Sequence, residues 1–113
     1  MENTSQRIAD LNDQFRKEGG HKVPGRMFAT AGVSALPLEM QIIVWREVSG
    51  FSDFTEDNDP HGEHDFGSFE KFDQRFFWKI DYYADAAMEW GSEDPADPAE
   101  CFRVLTLMLA AEY

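Results

Sequence analysis

Hydrophobic residues recur along the chain with the 3.6-residue period of helices in some stretches and the two-residue period of strands in others. These periods predict a helix over 4–18, a strand over 26–33, a helix over 36–50, a loop over 51–67, a hairpin over 68–83 and a helix over 98–112. The assignment of residues 36–50 as a helix has an alternative, because the β-branched residues within 40–45 are also typical of a strand. Residues 85–94 are ambiguous, with a short helical turn over 86–90 as one interpretation.

The second strand of the predicted hairpin has the most regular alternation. Its wholly apolar or aromatic face, which we expect to point into the core, consists of Phe76, Trp78, Ile80 and Tyr82. The opposite face places Lys79 beside Asp81. A surface salt bridge and a binding site are both open interpretations of that pair.

The last predicted helix has a clear start signal. Asp97 is a candidate N-cap, Pro98 follows at the first helical position, and Glu100 lies three residues after the cap. The residues that follow are apolar on nearly all sides, which predicts a helix in the centre of the domain, with Cys101 as a small buried residue. The expected fold is therefore α+β, with a small antiparallel sheet, a hairpin plus one strand, packed on a buried C-terminal helix and one or two further helices.

Length and composition predict a single compact domain spanning 1–113, since 42% of the residues are hydrophobic and 14% aromatic. We expect a cytoplasmic protein. The N-terminus lacks the features of a signal peptide, no stretch is long and apolar enough to span a bilayer, and the one cysteine cannot form an internal disulfide.

The net charge of −12 is concentrated in one part of the chain. Residues 1–52 contain six acidic and six basic residues, and 101–113 contain one of each. Residues 53–100 contain fifteen acidic residues and three basic ones, so the whole net charge lies there. Such a field repels nucleic acid and anionic membranes and attracts basic protein surfaces, although acidic surfaces also simply keep small proteins soluble.

The loop over 51–67 is long for a compact domain, which is typical of functional loops. Its acidic residues are the candidate partner-binding residues: Asp53, Glu56, Asp57, Asp59, Glu63 and Asp65. As an alternative, His61, His64 and Asp65 offer imidazole and carboxylate ligands for a divalent transition metal. A purely structural role is also open, in which His64 and Asp65 hydrogen-bond the backbone of the loop and hold it in shape.

Several motifs resemble the bacterial family named domain of unknown function 3768. The motifs are Asn12-Asp-Gln-Phe-Arg16, Thr30-Ala-Gly-Val33, Asn58-Asp-Pro-His-Gly-Glu-His-Asp-Phe-Gly67, Phe77-Trp-Lys-Ile-Asp-Tyr-Tyr83, Asp94-Pro-Ala-Asp-Pro98 and Arg103-Val-Leu-Thr-Leu-Met-Leu-Ala-Ala-Glu-Tyr113. The resemblance implies no activity. It implies a setting in proteobacteria, often on plasmids and other mobile elements. Residues 85–90 share no pattern with the family.

These observations predict a small acidic binding or inhibitor protein that needs no cofactor. Its expected partner is a basic protein surface, with a nucleic-acid-binding complex of bacterial defence as the specific form of the hypothesis, in which the acidic residues mimic nucleic acid. Direct binding to nucleic acid or membrane is not expected, and an enzymatic role is the weaker interpretation. The alternative is a metal-binding protein or metal-assisted enzyme that uses the loop from His61 to Asp65.

Overall fold

A computed structural model describes residues 3–113. Within these residues three helices and a four-stranded mixed sheet are formed. In chain order they are α1 (Thr4–Glu18), β1 (Gly25–Ala29), α2 (Ala31–Ser34), α3 (Leu38–Gly50), β2 (Phe66–Lys71), β3 (Gln74–Tyr83) and β4 (Phe102–Leu109). Single 3₁₀ turns lie at Gly19–His21, Pro98–Glu100 and Ala110–Glu112.

The strand order is β1-β4-β3-β2, with β1 parallel to β4 and the other neighbours antiparallel. The predicted helix over 98–112 is wrong, because β4 is a central strand paired on both sides. The start signal around Asp97 produces only one 3₁₀ turn, in which the Asp97 carboxylate accepts a hydrogen bond from the backbone of Ala99. The α+β composition holds, but the sheet is mixed and the helices lie in the first half of the chain.

Four other predictions are confirmed with small changes. α1 covers the predicted residues, but its N-cap is Asn3, whose side chain accepts from the Ser5 backbone. The helix alternative for 36–50 is correct, and so is the hairpin. The predicted strand over 26–33 ends at Ala29, where the chain turns into α2.

The core lies between the helices and one face of the sheet. Phe76, Trp78 and Ile80 point into it as predicted, and they pack with Leu105 and Leu107 of β4. α1 contributes Leu11 and Phe15, and α3 contributes Val44 and Val48. No helix in residues 3–113 combines the length and apolar composition required to cross a membrane.

The other face of the sheet carries the pair whose role was open. Lys79 Nζ lies 2.9 Å from Asp81 Oδ2, and both side chains are partly exposed. The interaction with Asp81 raises the pKa of Lys79. The pair therefore forms a surface salt bridge.

Candidate functional site

The acidic loop is attached to the core by aromatic side chains. The Phe51 and Phe54 rings lie 5.0 Å apart and both contact Trp78 edge-on, at centroid distances of 5.5 and 6.2 Å. Phe66, at the end of the loop, packs on the opposite face of the sheet against Phe77. The loop is thus a folded part of the domain.

His64 connects the loop to α1. It adopts a left-handed backbone conformation with φ of 57°, and its ring stacks on Phe54 at a centroid distance of 3.9 Å. Its Nδ1 lies 2.9 Å from Asp13 Oδ1, while the carboxylate of Asp59 accepts from its backbone N–H. This arrangement leaves the imidazole 25% exposed, with both ring nitrogens directed at carboxylates. The hydrogen bonds that brace the loop backbone therefore come from Asp59 and from Asn58, whose side chain accepts from the Thr55 N–H and donates to the Asp53 carbonyl, and not from the predicted His64 and Asp65.

Arg16 extends this connection to α3. It is buried, bonds the Asp13 carboxylate at 3.0 Å, and donates to the carbonyl oxygens of Val48 and Phe51, where α3 ends. The guanidinium also lies over the Phe54 ring, 5.4 Å from its centroid. One arginine thereby satisfies helix-end carbonyls and positions the first residues of the loop.

A second buried network begins at Asn12. Its side-chain amide donates to the Glu63 carbonyl and to the Tyr82 hydroxyl, each at 2.9 Å, and its oxygen accepts from Arg103 Nε at 2.6 Å. Tyr82 in turn donates to the Glu63 carboxylate at 2.9 Å. Four separate parts of the chain, namely α1, the loop, β3 and β4, meet at this amide.

The environment of this network shifts several pKa values. Burial raises the pKa of the Tyr82 hydroxyl and lowers the pKa of Arg103. The pKa of Asp65 is also raised, first by burial and then by the negative charge of Glu63. Arg103 Nη1 is buried and has no hydrogen-bond partner within residues 3–113. These residues stabilise the loop.

The predicted metal ligands lie in different settings. His61 is exposed, whereas His64 is engaged by Asp13 and stacked on Phe54. Within residues 3–113, no group of three or more His, Cys, Asp or Glu side chains is arranged to hold a metal ion.

The six predicted partner-binding residues divide into two sets. Asp53, Glu56 and Asp57 are exposed. Asp59 is only 8% exposed, Glu63 accepts from Tyr82, and Asp65 is half-buried. The second set supports the loop from within. Only the exposed set has its carboxylates at the surface, where a partner could contact them.

A second acidic segment lies beside the first. Residues 74–79 of β3 pair with β2. After residue 79 the same edge of β3 is occupied by the second segment, because Gly91 forms a bridge with Tyr83 and the Ser92 N–H donates to the Tyr82 carbonyl. Asp65 and Ser92 therefore flank the same edge of β3, and we call the segments that contain them, 53–65 and 84–101, together the acidic edge. Each segment contains six Asp or Glu residues and no Lys or Arg.

The exposed carboxylates of the second segment were not among the predicted contacts. They are Asp85, Glu89, Glu93, Asp94 and Glu100. The charge count of the stretch 53–100 includes these five residues, so it could have identified them as candidate contacts. Their position beside the loop depends on strand pairing between distant residues. Asn12 and Arg103 were also missed as supporting residues, although an arginine within an apolar strand indicates a buried partner.

Comparison with known proteins adds a family and no activity. No curated protein and no solved structure matched the chain. The matching family is described as "Protein of unknown function (DUF3768)", and the match covers residues 29–112. α1 lies outside the match, yet Asn12, Asp13 and Arg16 bind the loop that lies within it. Because the match covers most of the chain, this protein belongs to the family of unknown function DUF3768.

Proposed function

We propose that this protein is an acidic binding protein whose acidic edge docks on a basic surface of another protein. The observation that carries the proposal is the position of two acidic segments, free of Lys and Arg, along the same edge of β3. Concentrated charge of one sign steers an oppositely charged partner and favours association with it.

The support beneath the acidic edge strengthens this proposal. The first segment is held by stacked aromatic rings and by the side chains of Asn12, Asp13 and Arg16. Its exposed carboxylates are therefore presented on an ordered loop. An ordered loop loses less conformational freedom on binding than a disordered acidic tail does.

The specific form of the proposal is mimicry of nucleic acid. Carboxylates on an ordered loop can occupy a basic groove that normally contacts phosphates, and so block it. A nucleic-acid-binding complex of bacterial defence suits the mobile-element setting that the family resemblance implies. Duplex DNA should then compete with the protein for the same partner.

The test compares two variants of equal charge. In the first, Asp53→Asn, Glu56→Gln and Asp57→Asn neutralise three exposed residues of the acidic edge. In the control, Asp10→Asn, Glu18→Gln and Glu39→Gln neutralise three exposed helix residues elsewhere. Each tagged protein is used to capture proteins from bacterial lysate at low and high salt, and captured proteins are identified by mass spectrometry.

We expect wild type and control to recover the same nucleic-acid-binding complex at low salt, and duplex DNA to displace it. The acidic-edge variant should recover at least about tenfold less, and high salt should abolish recovery. Equal recovery by all three proteins would refute the acidic edge as the contact. If duplex DNA did not displace the captured complex, the mimicry of nucleic acid would be refuted, while binding through the acidic edge would still stand.

A further inference from the structure

One face of the sheet is left without a helix in residues 3–113. α1, α2 and α3 all contribute buried residues to the core cluster on the face of Trp78 and Leu107. The opposite face, here called the outer face, is rich in aromatic residues. Its strand positions and the C-terminus supply Phe28, Phe66, Phe77, Tyr83, Phe102 and Tyr113.

The outer face contains a groove and an exposed aromatic residue side by side. The groove has a volume of about 480 Å³ and is lined by Thr30, Lys79, Thr106, Met108, Glu112 and Tyr113. Phe28 is the strand partner of Thr106, so it projects from the same face beside the groove. It is 42% exposed, and Tyr113 on the other flank is 75% exposed.

The outer face carries no net charge, in contrast to the acidic edge. Its charged residues are Arg26, Glu70, Arg75, Lys79, Asp81 and Glu112, three of each sign. Two pairs among them are already joined, Arg75 with Glu70 at 2.8 Å and Lys79 with Asp81 at 2.9 Å. A second copy of the chain can thus approach this neutral face without the repulsion that the acidic edge would impose.

We propose that two copies associate through their outer faces, with Phe28 of each copy seated in the groove of the other. A two-fold interface requires the projecting residue and its receptor to lie on the same patch, which is the arrangement here. The four strands contain 29 residues in all, which at about 3.3 Å by 4.8 Å each give the outer face roughly 450 Å² per copy, and Tyr113 already packs on part of it. Since a stable interface typically buries about 800 Å² per partner, we expect the dimer to be weak.

The test is sedimentation equilibrium over a concentration range of about 5 to 500 µM, which spans a micromolar equilibrium. The weight-average mass of the wild type should rise from 13.0 kDa towards twice that value. Phe28→Thr keeps a strand-forming residue but removes the ring, and Tyr113→Ser removes a wall of the groove. Each should weaken association by at least about tenfold. Circular dichroism verifies that both variants fold.

The controls are Trp90→Ala and Leu38→Ala, which remove apolar side chains elsewhere that are 76% and 71% exposed, similar to Tyr113 and more exposed than Phe28. Both should associate like the wild type. Added salt should leave self-association unchanged or strengthen it, since it screens the repulsion between two acidic molecules. A wild type that stays monomeric at about 500 µM, or a folded Phe28→Thr variant that dimerises normally, would overturn the proposal.

Discussion

Asn12→Ala should be among the most destabilising single substitutions in this protein. The fully buried amide makes three hydrogen bonds, to Arg103, to the Glu63 carbonyl and to Tyr82. Truncation leaves each partner buried without its bond. The bond to the charged guanidinium contributes about 2 kcal/mol and the two neutral bonds about 1 kcal/mol each, which gives a loss of about 4 kcal/mol in the free energy of unfolding.

Urea denaturation, followed by the fluorescence of the buried Trp78 and by circular dichroism, measures this loss. Asp10→Ala is the matched control, because it removes an exposed side chain of the same helix whose bond to Gln6 lies at the surface. It should cost less than about 0.5 kcal/mol. A loss below about 1 kcal/mol for Asn12→Ala would show that the buried network does not stabilise the loop, and the argument for an ordered acidic edge would fail.

Three further predictions use the same measurements. Gly67→Ala should lower the free energy of unfolding by about 1 to 3 kcal/mol, because an added Cβ would overlap the indole of Trp78; an unchanged urea midpoint would contradict this. The pKa of Asp65 is raised above its ordinary 3.8 by burial and by Glu63, so the folded state binds this proton more tightly and stability falls as pH rises through that window. Asp65→Asn should therefore raise the urea midpoint near pH 7 and change it little near pH 3, and a lowered midpoint near pH 7 would be the contrary result. Burial raises the pKa of the Cys101 thiol, so a thiol reagent should modify it only as fast as the chain unfolds; rapid labelling of the folded protein would show that the thiol is accessible.

The elements that the sequence predicted well are those with local signals. α1 has a single apolar stripe and ends at a glycine, and β3 alternates between two clearly different faces. These patterns depend only on neighbours within a few residues. The hairpin turn between β2 and β3 belongs to the same class.

The error in β4 has a physical reason. A run of apolar residues is expected both for a helix buried on all sides and for a strand covered on both faces, so periodicity cannot separate them. The leucines favour a helix locally. Pairing with β1 and β3 satisfies the backbone of β4 on both sides and overrides that preference.

The candidate site was predicted in part. The charge count located the acidic stretch, and Asp53, Glu56 and Asp57 are exposed as a contact surface requires. Sequence alone did not reveal that Asp59 is buried beneath His64. That distinction depends on contacts between distant residues.

The sequence by itself determined the concentration of negative charge, the hairpin, the first helix and the family motifs, because each is a property of neighbouring residues. Only the tertiary structure decided which carboxylates support the loop and which face solvent. It also brought the two acidic segments to one side of the sheet and left the outer face without a packed α-helix in the described residues. These features arise from the pairing of β3 and β4 with strands far away in sequence, which no local pattern encodes.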